Sequence, residues 1–284
     1  MKDIKRISVI SPSDPYKNRL LWGDHWVKYE LVRVFREIGH TVTDERPDIV
    51  IHLFGIPHKL PENVHSIGWI YSHPDMIKPK TLKQYDKIFC LSSSFTEKIK
   101  KMGFEAELMI GATAKKPIQK KIEYDILSVS NWRISMSGGR KIVHDLGETS
   151  YNLKIWGTRW KGKIPQKYHG GEYHDNQKLN ELYASSLITL VDCHADMARE
   201  GFVPVKIFDV LASGGFCISD KNSGIEEIFG NSIPQYKSPD HLKELVKFYI
   251  SYPDERLELM KRGRDIALSH TWEKRAKQFL AVIP

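Results

Sequence analysis

The run Arg199-Glu200-Gly201-Phe202-Val203-Pro204-Val205-Lys206-Ile207-Phe208-Asp209-Val210-Leu211-Ala212-Ser213-Gly214-Gly215 leads straight into the apolar Phe216-Cys217-Ile218-Ser219. It reads as a loop, a helix begun near Pro204 and a buried strand. Lys206 and Asp209 fall three residues apart, on one helix face. A loop-to-helix step of this kind presents unpaired amides, here expected at Gly201, Phe202 and Val203, to an anion. The same residues also suit an ordinary loop-helix-strand corner with Glu200 and Asp209 as solvated charges.

Outward from that segment, strand-like and helix-like patterns alternate. In the first part strands are expected at Ile7 to Ile10, Asp48 to Phe54, Ser66 to Tyr71, Ile88 to Leu91 and Glu107 to Ile110. Helices are expected from Asp24 to Gly39 and from Ser93 to Gly103. In the first of these, Val27, Leu31, Val34, Phe35 and Ile38 form one stripe, and Gly39 supplies a left-handed stop. The second part repeats the alternation, with strands near 125–129, 152–156, 187–191, 216–219 and 233–235. Such alternation predicts parallel sheets covered by helices. Between Gly111 and Lys121 periodicity lapses and charge rises, which places a linker there. The reading is therefore α/β, with domains over 1–115 and 122–270 and a closing helix over 271–284. In the last third, Leu257, Met260, Ile266 and Ala267 are read as a buried stripe.

The bulk numbers exclude some classes. No apolar run approaches the ~20 residues of a membrane helix, and Met1 is followed by charge rather than by a signal-peptide core, so a cytoplasmic protein is expected. Cys90, Cys193 and Cys217 lie far apart in apolar stretches and read as core residues rather than a disulfide framework. The net charge of +8 favours anionic partners: nucleotides, an anionic membrane surface contacted peripherally, or nucleic acid. Lys and Arg are dispersed without a reading helix, which disfavours nucleic acid.

The opening segment resembles the donor site of glycosyltransferases built from two Rossmann-like domains facing each other across a cleft (the GT-B architecture). The likeness is closest to family 4 and its spore-coat-protein-like relatives. Their text is Glu-Gly-Phe, Pro, a basic residue, Phe, an acid, Leu-Ala, a small residue and Gly. The commonest family 4 spacing has seven residues between two Glu, whereas eight separate Glu200 from Asp209 here. His270-Thr271-Trp272-Glu273 resembles the helix that in that architecture crosses back to the N-terminal domain. The resemblance implies transfer of a sugar from a UDP-, GDP- or dTDP-linked donor to a hydroxyl of a carbohydrate, lipid-linked or other acceptor. It also implies retention of configuration, and neither a metal nor a further cofactor. An epimerase or phosphorylase of the same fold, a non-catalytic nucleotide-sugar sensor and a DNA-glycosylating or nucleic-acid-binding protein are the alternatives.

Under that resemblance the reacting centre would comprise His73, Lys206, Arg133 and Glu200. His73, in Tyr71-Ser72-His73-Pro74-Asp75, would touch the donor sugar, or else merely cap a turn. Lys206 and Arg133 would meet the leaving diphosphate, Glu200 a sugar hydroxyl and Asp209 the ribose. Gly23 and Asp24 would approach the donor or acceptor, with Asp24 equally readable as a helix cap. Arg140, in Ser137-Gly138-Gly139-Arg140-Lys141, is a second phosphate candidate or part of a solvated basic loop. Gly157, Glu172 and Tyr173 would surround the base, the glycines by letting the backbone approach a flat ring. His169, His174, Asp175, Asp192, His194 and Asp196 suggest a metal set, but hydrogen-bonding loop residues are the preferred reading. Without Gly-x-Gly-x-x-Gly near Ser11 to Leu21, a dinucleotide cofactor is unsupported. Lys17, Arg19, Trp22 and Trp26 could meet an anionic lipid or polysaccharide carrier.

Overall fold

In the computed structural model, residues 4–133 and 140–283 are described. The chain divides into two compact units, Met1–Gly111 with Glu200–Phe202 and Thr271–Pro284, and Ala112–Arg199 with Val203–His270.

The first unit contains β1 (Arg6–Ile10), α1 (Gly23–Glu37), β2 (Thr41–Val42), β3 (Ile49–Phe54), β4 (His65–Ile70), α2 (Pro79–Leu82), β5 (Lys87–Cys90), α3 (Ser93–Lys101) and β6 (Glu107–Leu108). All pairings are parallel, in the order β2-β1-β3-β4-β5-β6. β3 is buried at every position, as a central strand covered on both faces must be. α1 turns Val27, Leu31, Val34 and Phe35 inward, the stripe its sequence predicts.

The second unit contains β7 (Tyr124–Val129), α4 (Lys141–Leu146), β8 (Leu153–Trp156), β9 (His169–Gly171), α5 (Leu179–Ala184), β10 (Ser186–Val191), α6 (Ala195–Arg199) and α7 (Val205–Ala212). It continues with β11 (Cys217–Asp220), α8 (Ser223–Phe229), β12 (Gln235–Tyr236), α9 (Pro239–Ser251) and α10 (Pro253–Leu268). Its sheet is also parallel, ordered β12-β11-β10-β7-β8-β9. Read from the unit's first strand, this is the doubly wound order, with its reversal between β7 and β10. In the first unit the reversal lies between β1 and β3. At such a point adjacent crossovers go to opposite faces, opening a crevice beyond the strands' carboxyl ends.

The last helix, α11 (Trp272–Leu280), is capped by Thr271, whose side chain accepts from the Lys274 amide. It belongs to the first unit: Phe279 meets Phe35, Trp69 and Phe89. Buried Arg275 donates to the carbonyls of Ile110 and Gly111. The α10 stripe follows expectation in part: Ala267 is buried and Met260 packs against the core, but Leu257 is exposed and Arg256 and Gly263 are buried. A Cβ at Gly263 would lie 3.0 Å from Leu211, so this helix packs close on α7 through small residues, which a search for large apolar ones misses. All three cysteines are buried and unpaired. Among the described residues, no helix is long and apolar enough to cross a membrane.

Candidate functional site

The crevice between β7 and β10 in the second unit gathers charge. The loop after β7 is fixed first: the Trp160 indole donates to the Ser130 carbonyl at 2.6 Å, and Asn131 Oδ1 accepts from the Thr158 amide at 3.0 Å. A Cβ on Gly157 would lie 2.2 Å from the Ser130 carbonyl oxygen, and Gly157 has φ +139°, so only glycine lets these two loops pack. On this platform Arg140 donates from Nε to the Asn131 carbonyl at 3.1 Å and from Nη1 to Asp192 Oδ1 at 3.3 Å. Asp192 follows β10 directly. Lys206, in the first turn of α7, donates to the carbonyl of Val129, the last residue of β7.

Burial lowers the Lys206 ammonium to about 7, and the positive charges of Arg140 and Arg133 push the same way, against Asp192 and Asp209. Arg140 and Arg133 therefore act on Lys206 as like charges, offset in part by Asp192 and Asp209. Across the crevice, burial raises Asp220, at the end of β11, to about 7, and the Asp192 charge adds to that shift. Near pH 7 Asp220 therefore carries less negative charge than an ordinary carboxylate. Such a corner is stabilised by an anion carrying two or more charges.

Several expectations shift. α7 starts at Val205 with Pro204 as its cap residue, so the open first-turn amides begin there rather than at Gly201, Phe202 and Val203. Phe202 and Val203 are fully buried. Glu200 lies with the first unit: its backbone carbonyl accepts from Ser92 and Ser94, and its carboxylate pairs with Lys98 at 2.5 Å. Asp209 accepts from the Thr113 hydroxyl at 2.6 Å. Lys141 is occupied by Asp145 and by the Tyr236 ring. Ser137, Gly138 and Gly139 lie outside the described residues.

The flat ring approached by Gly170 and Gly171 is Trp156's own indole, since a Cβ at either would lie 2.5–2.6 Å from it. Glu172 and Tyr173 are exposed, so Tyr173 is not core packing. The buried ring nitrogens Trp132 Nε1, Trp156 Nε1 and His169 Nε2 have no hydrogen-bond partner. Among the described residues no three His, Cys, Asp or Glu side chains come together as a metal set. Asp175 and Asp196 cap local amides, and Asp192 is held by Arg140. Asp192 is the site residue whose role the sequence hid, because its partner Arg140 is 52 residues away.

In the corner between β1 and β3 of the first unit the carboxylates are satisfied internally, while His25 Nδ1, buried in the first turn of α1, has no hydrogen-bond partner. Asp24 does not cap α1, whose cap residue is Trp22. Its carboxylate accepts instead from the Ser11 hydroxyl at 2.5 Å and the Ser13 amide at 3.0 Å. Asp14 pairs with Lys28. Gly23 is exposed, and a Cβ there would meet nothing within 4 Å, so the fold does not require glycine at that position. His73 follows β4 in left-handed backbone, φ 53° and ψ 57°, uncommon for a residue with a side chain. It makes no side-chain cap bond to the turn after it. Around the start of α1, Tyr16 stacks on Trp22 with ring centroids 4.7 Å apart, and Tyr16, Leu20 and Tyr29 are exposed beside Lys17 and Arg19.

Comparison with known proteins matches residues 133–281, a little over half of the chain, to a family model described as glycosyl transferase-like. No curated protein matches in sequence. Among solved structures the chain is similar to the sucrose-phosphate synthase of Thermosynechococcus elongatus, with TM-score 0.74 and 11% identity over 98% of both chains. It is also similar to the T4 phage BGT, a β-glucosyltransferase, in complex with UDP and Mn2+, with TM-score 0.66 and 12% identity over 97% of both. An α-glucosyltransferase in complex with UDP and a 13-mer DNA aligns with TM-score 0.68 and 12% identity over 99% of both. At these identities the likeness is one of fold: two parallel six-stranded sheets with covering helices, the GT-B type.

Proposed function

The chain belongs to the glycosyl transferase-like family, and on that premise we propose that this glycosyltransferase moves a sugar from a nucleoside diphosphate donor to an acceptor hydroxyl. The observation that carries the reading is the cationic corner formed by Lys206, Arg140 and Arg133 between β7 and β10. When the anomeric bond breaks, negative charge grows on the departing diphosphate. Preorganised cations in a desolvated crevice stabilise that charge more in the transition state than in the ground state, a contribution of several kcal/mol. Lys206 and Arg140 are anchored by the carbonyls of Val129 and Asn131, so little reorganisation is needed as the charge appears.

The diphosphate charge is met by side chains in this reading, without a metal. Asp209 holds the ribose, and Tyr173, exposed beside β9, stacks on the base. Uridine is favoured among the bases because UDP is the nucleotide bound by the T4 and DNA-bound structural relatives. His73, Glu200 and Gly23, in the first unit, are proposed as further ligand-binding groups. Retention would follow a same-face attack in which the departing phosphate takes the acceptor proton.

A panel of UDP-, GDP- and dTDP-sugars tests the reading by thermal shift, because a ligand that binds only the native state raises its stability by mass action. A UDP-sugar is expected to give the largest shift, with release of UDP once an acceptor is added. Stabilisation by none of the panel would sink the donor assignment, and an inverted anomeric proton signal in the product would remove the same-face mechanism. DNA is the acceptor of a second reading, which the DNA-bound structural relative favours. Glucosylation of DNA offered as acceptor would establish it.

A further inference from the structure

We propose that Asp192 is a positioning residue that fixes the Arg140 guanidinium for the diphosphate, an inference that rests on the reading of this corner as the donor site. Asp192 stands at the carboxyl end of β10, on the edge of the crevice, and its side chain is 3% exposed. One carboxylate oxygen pairs with Arg140 Nη1 at 3.3 Å and the other lies 3.4 Å from the Ile142 amide, so it bridges the guanidinium to the first turn of α4. Arg140 is the residue that precedes α4, and its side chain is only 12% exposed.

An arginine is long and flexible, and holding it in one rotamer costs side-chain entropy. Here two fixed acceptors on neighbouring strand ends, the Asn131 carbonyl and Asp192, take Nε and Nη1. The planar fork is thereby oriented with Nη2 left over to meet an anion. A buried carboxylate this close to an anion site opposes anion binding by its charge. Its presence is understandable if orienting Arg140 outweighs that repulsion.

The two effects separate by substitution. Asp192→Asn and Asp192→Ala remove the same charge, but Asn keeps an acceptor for Arg140 and Ala does not. Inorganic pyrophosphate is the probe, because it reports the diphosphate contacts without base or sugar, and titration calorimetry reads its affinity. The Asp192→Ala variant is expected to bind about tenfold more weakly than Asp192→Asn, the effect of a charge-assisted hydrogen bond. In an Arg140→Gln background that gap should vanish, since the acceptor then has nothing to orient.

Equal affinities of the Asn and Ala variants, or a gap that persists with Gln at 140, would overturn the proposal. If Asp192→Ala does not fold, Arg140→Lys serves: it keeps the charge but cannot span Asn131 and Asp192, and should bind about tenfold more weakly than wild type. Wild-type affinity in that variant would overturn the proposal too. The failures are distinguishable. Should Arg140→Gln bind pyrophosphate like wild type, the donor-site reading falls and this inference with it. Should Arg140→Gln weaken binding while the Asn and Ala variants match, only the role of Asp192 falls.

Discussion

The two sheets each reverse strand order once, and the two reversal points are built in opposite ways. Between β1 and β3 every carboxylate of the loop and helix start finds a local partner: Asp24 with Ser11 and Ser13, Asp14 with Lys28. Between β7 and β10 three cations gather beside Asp192, Asp209 and Asp220, and Lys206 is driven down to about 7 by burial and by Arg140 and Arg133, against Asp192 and Asp209. A fold does not gather buried charge for stability, because each desolvated ion costs free energy. The contrast teaches that a switch point in strand order leaves the choice of ligand to local charge, and that the second corner is held ready for an anion.

The hardest blow to this contrast comes from Lys206→Met. Transfer is expected to fall about 10²–10³-fold, as when one preorganised donor to a developing oxyanion is lost, while thermal denaturation should show a more stable protein at pH 7. The sign follows from the ammonium's folded value near 7 against 10.5 when unfolded. Folding favours loss of that proton, so the charge opposes folding below about 7, and the penalty fades as pH rises toward 10.5. In the wild type, kcat/KM should fall above pH 7 with a limiting slope of about tenfold per unit. Asp220, also near 7, loses its proton in the same range and acts in the same direction. A flat profile from pH 6 to 9, or a destabilised Lys206→Met protein, would place the lysine outside a strained anion site.

The glycines sharpen the comparison from the other side. Gly157→Ala should destabilise by about 3 kcal/mol through overpacking and backbone strain, measured by chemical denaturation, since its Cβ would enter the Ser130 carbonyl. Gly23→Ala should be neutral or stabilising by less than about 1 kcal/mol, because it opens α1 with free space around it. If Gly23→Ala nevertheless raises KM, the glycine serves ligand approach, and the first unit's corner is a binding surface despite its internal balance. Unchanged kinetics would leave that corner structural.

The sequence made the α/β alternation plain, because buried parallel strands are continuous apolar runs such as Ile49-Val50-Ile51, and α1 carries an uninterrupted inward stripe. Short edge strands were less legible: β2 and β9 have two and three residues, too few for a period. α10 misled in part, because its inward face includes Arg256 and Gly263 beside the expected Ala267. Within the site, Lys206 and Asp209 could be paired on one helix face from spacing alone. Trp156 as the ring beside Gly170 and Gly171, and Lys98 as the partner of Glu200, could not.

The sequence by itself determined the class of fold, the loop-helix-strand segment around Lys206 and the family text that runs through it. These depend on neighbours in the chain, where periodicity and caps act. Only the tertiary structure decided which strand ends lie side by side, and hence that Val129, Asn131, Arg140, Asp192 and Lys206 share one crevice. Strand order is set by how crossover helices cover two sheet faces. Charge balance depends on distance in space, and neither quantity is written in any local stretch of residues.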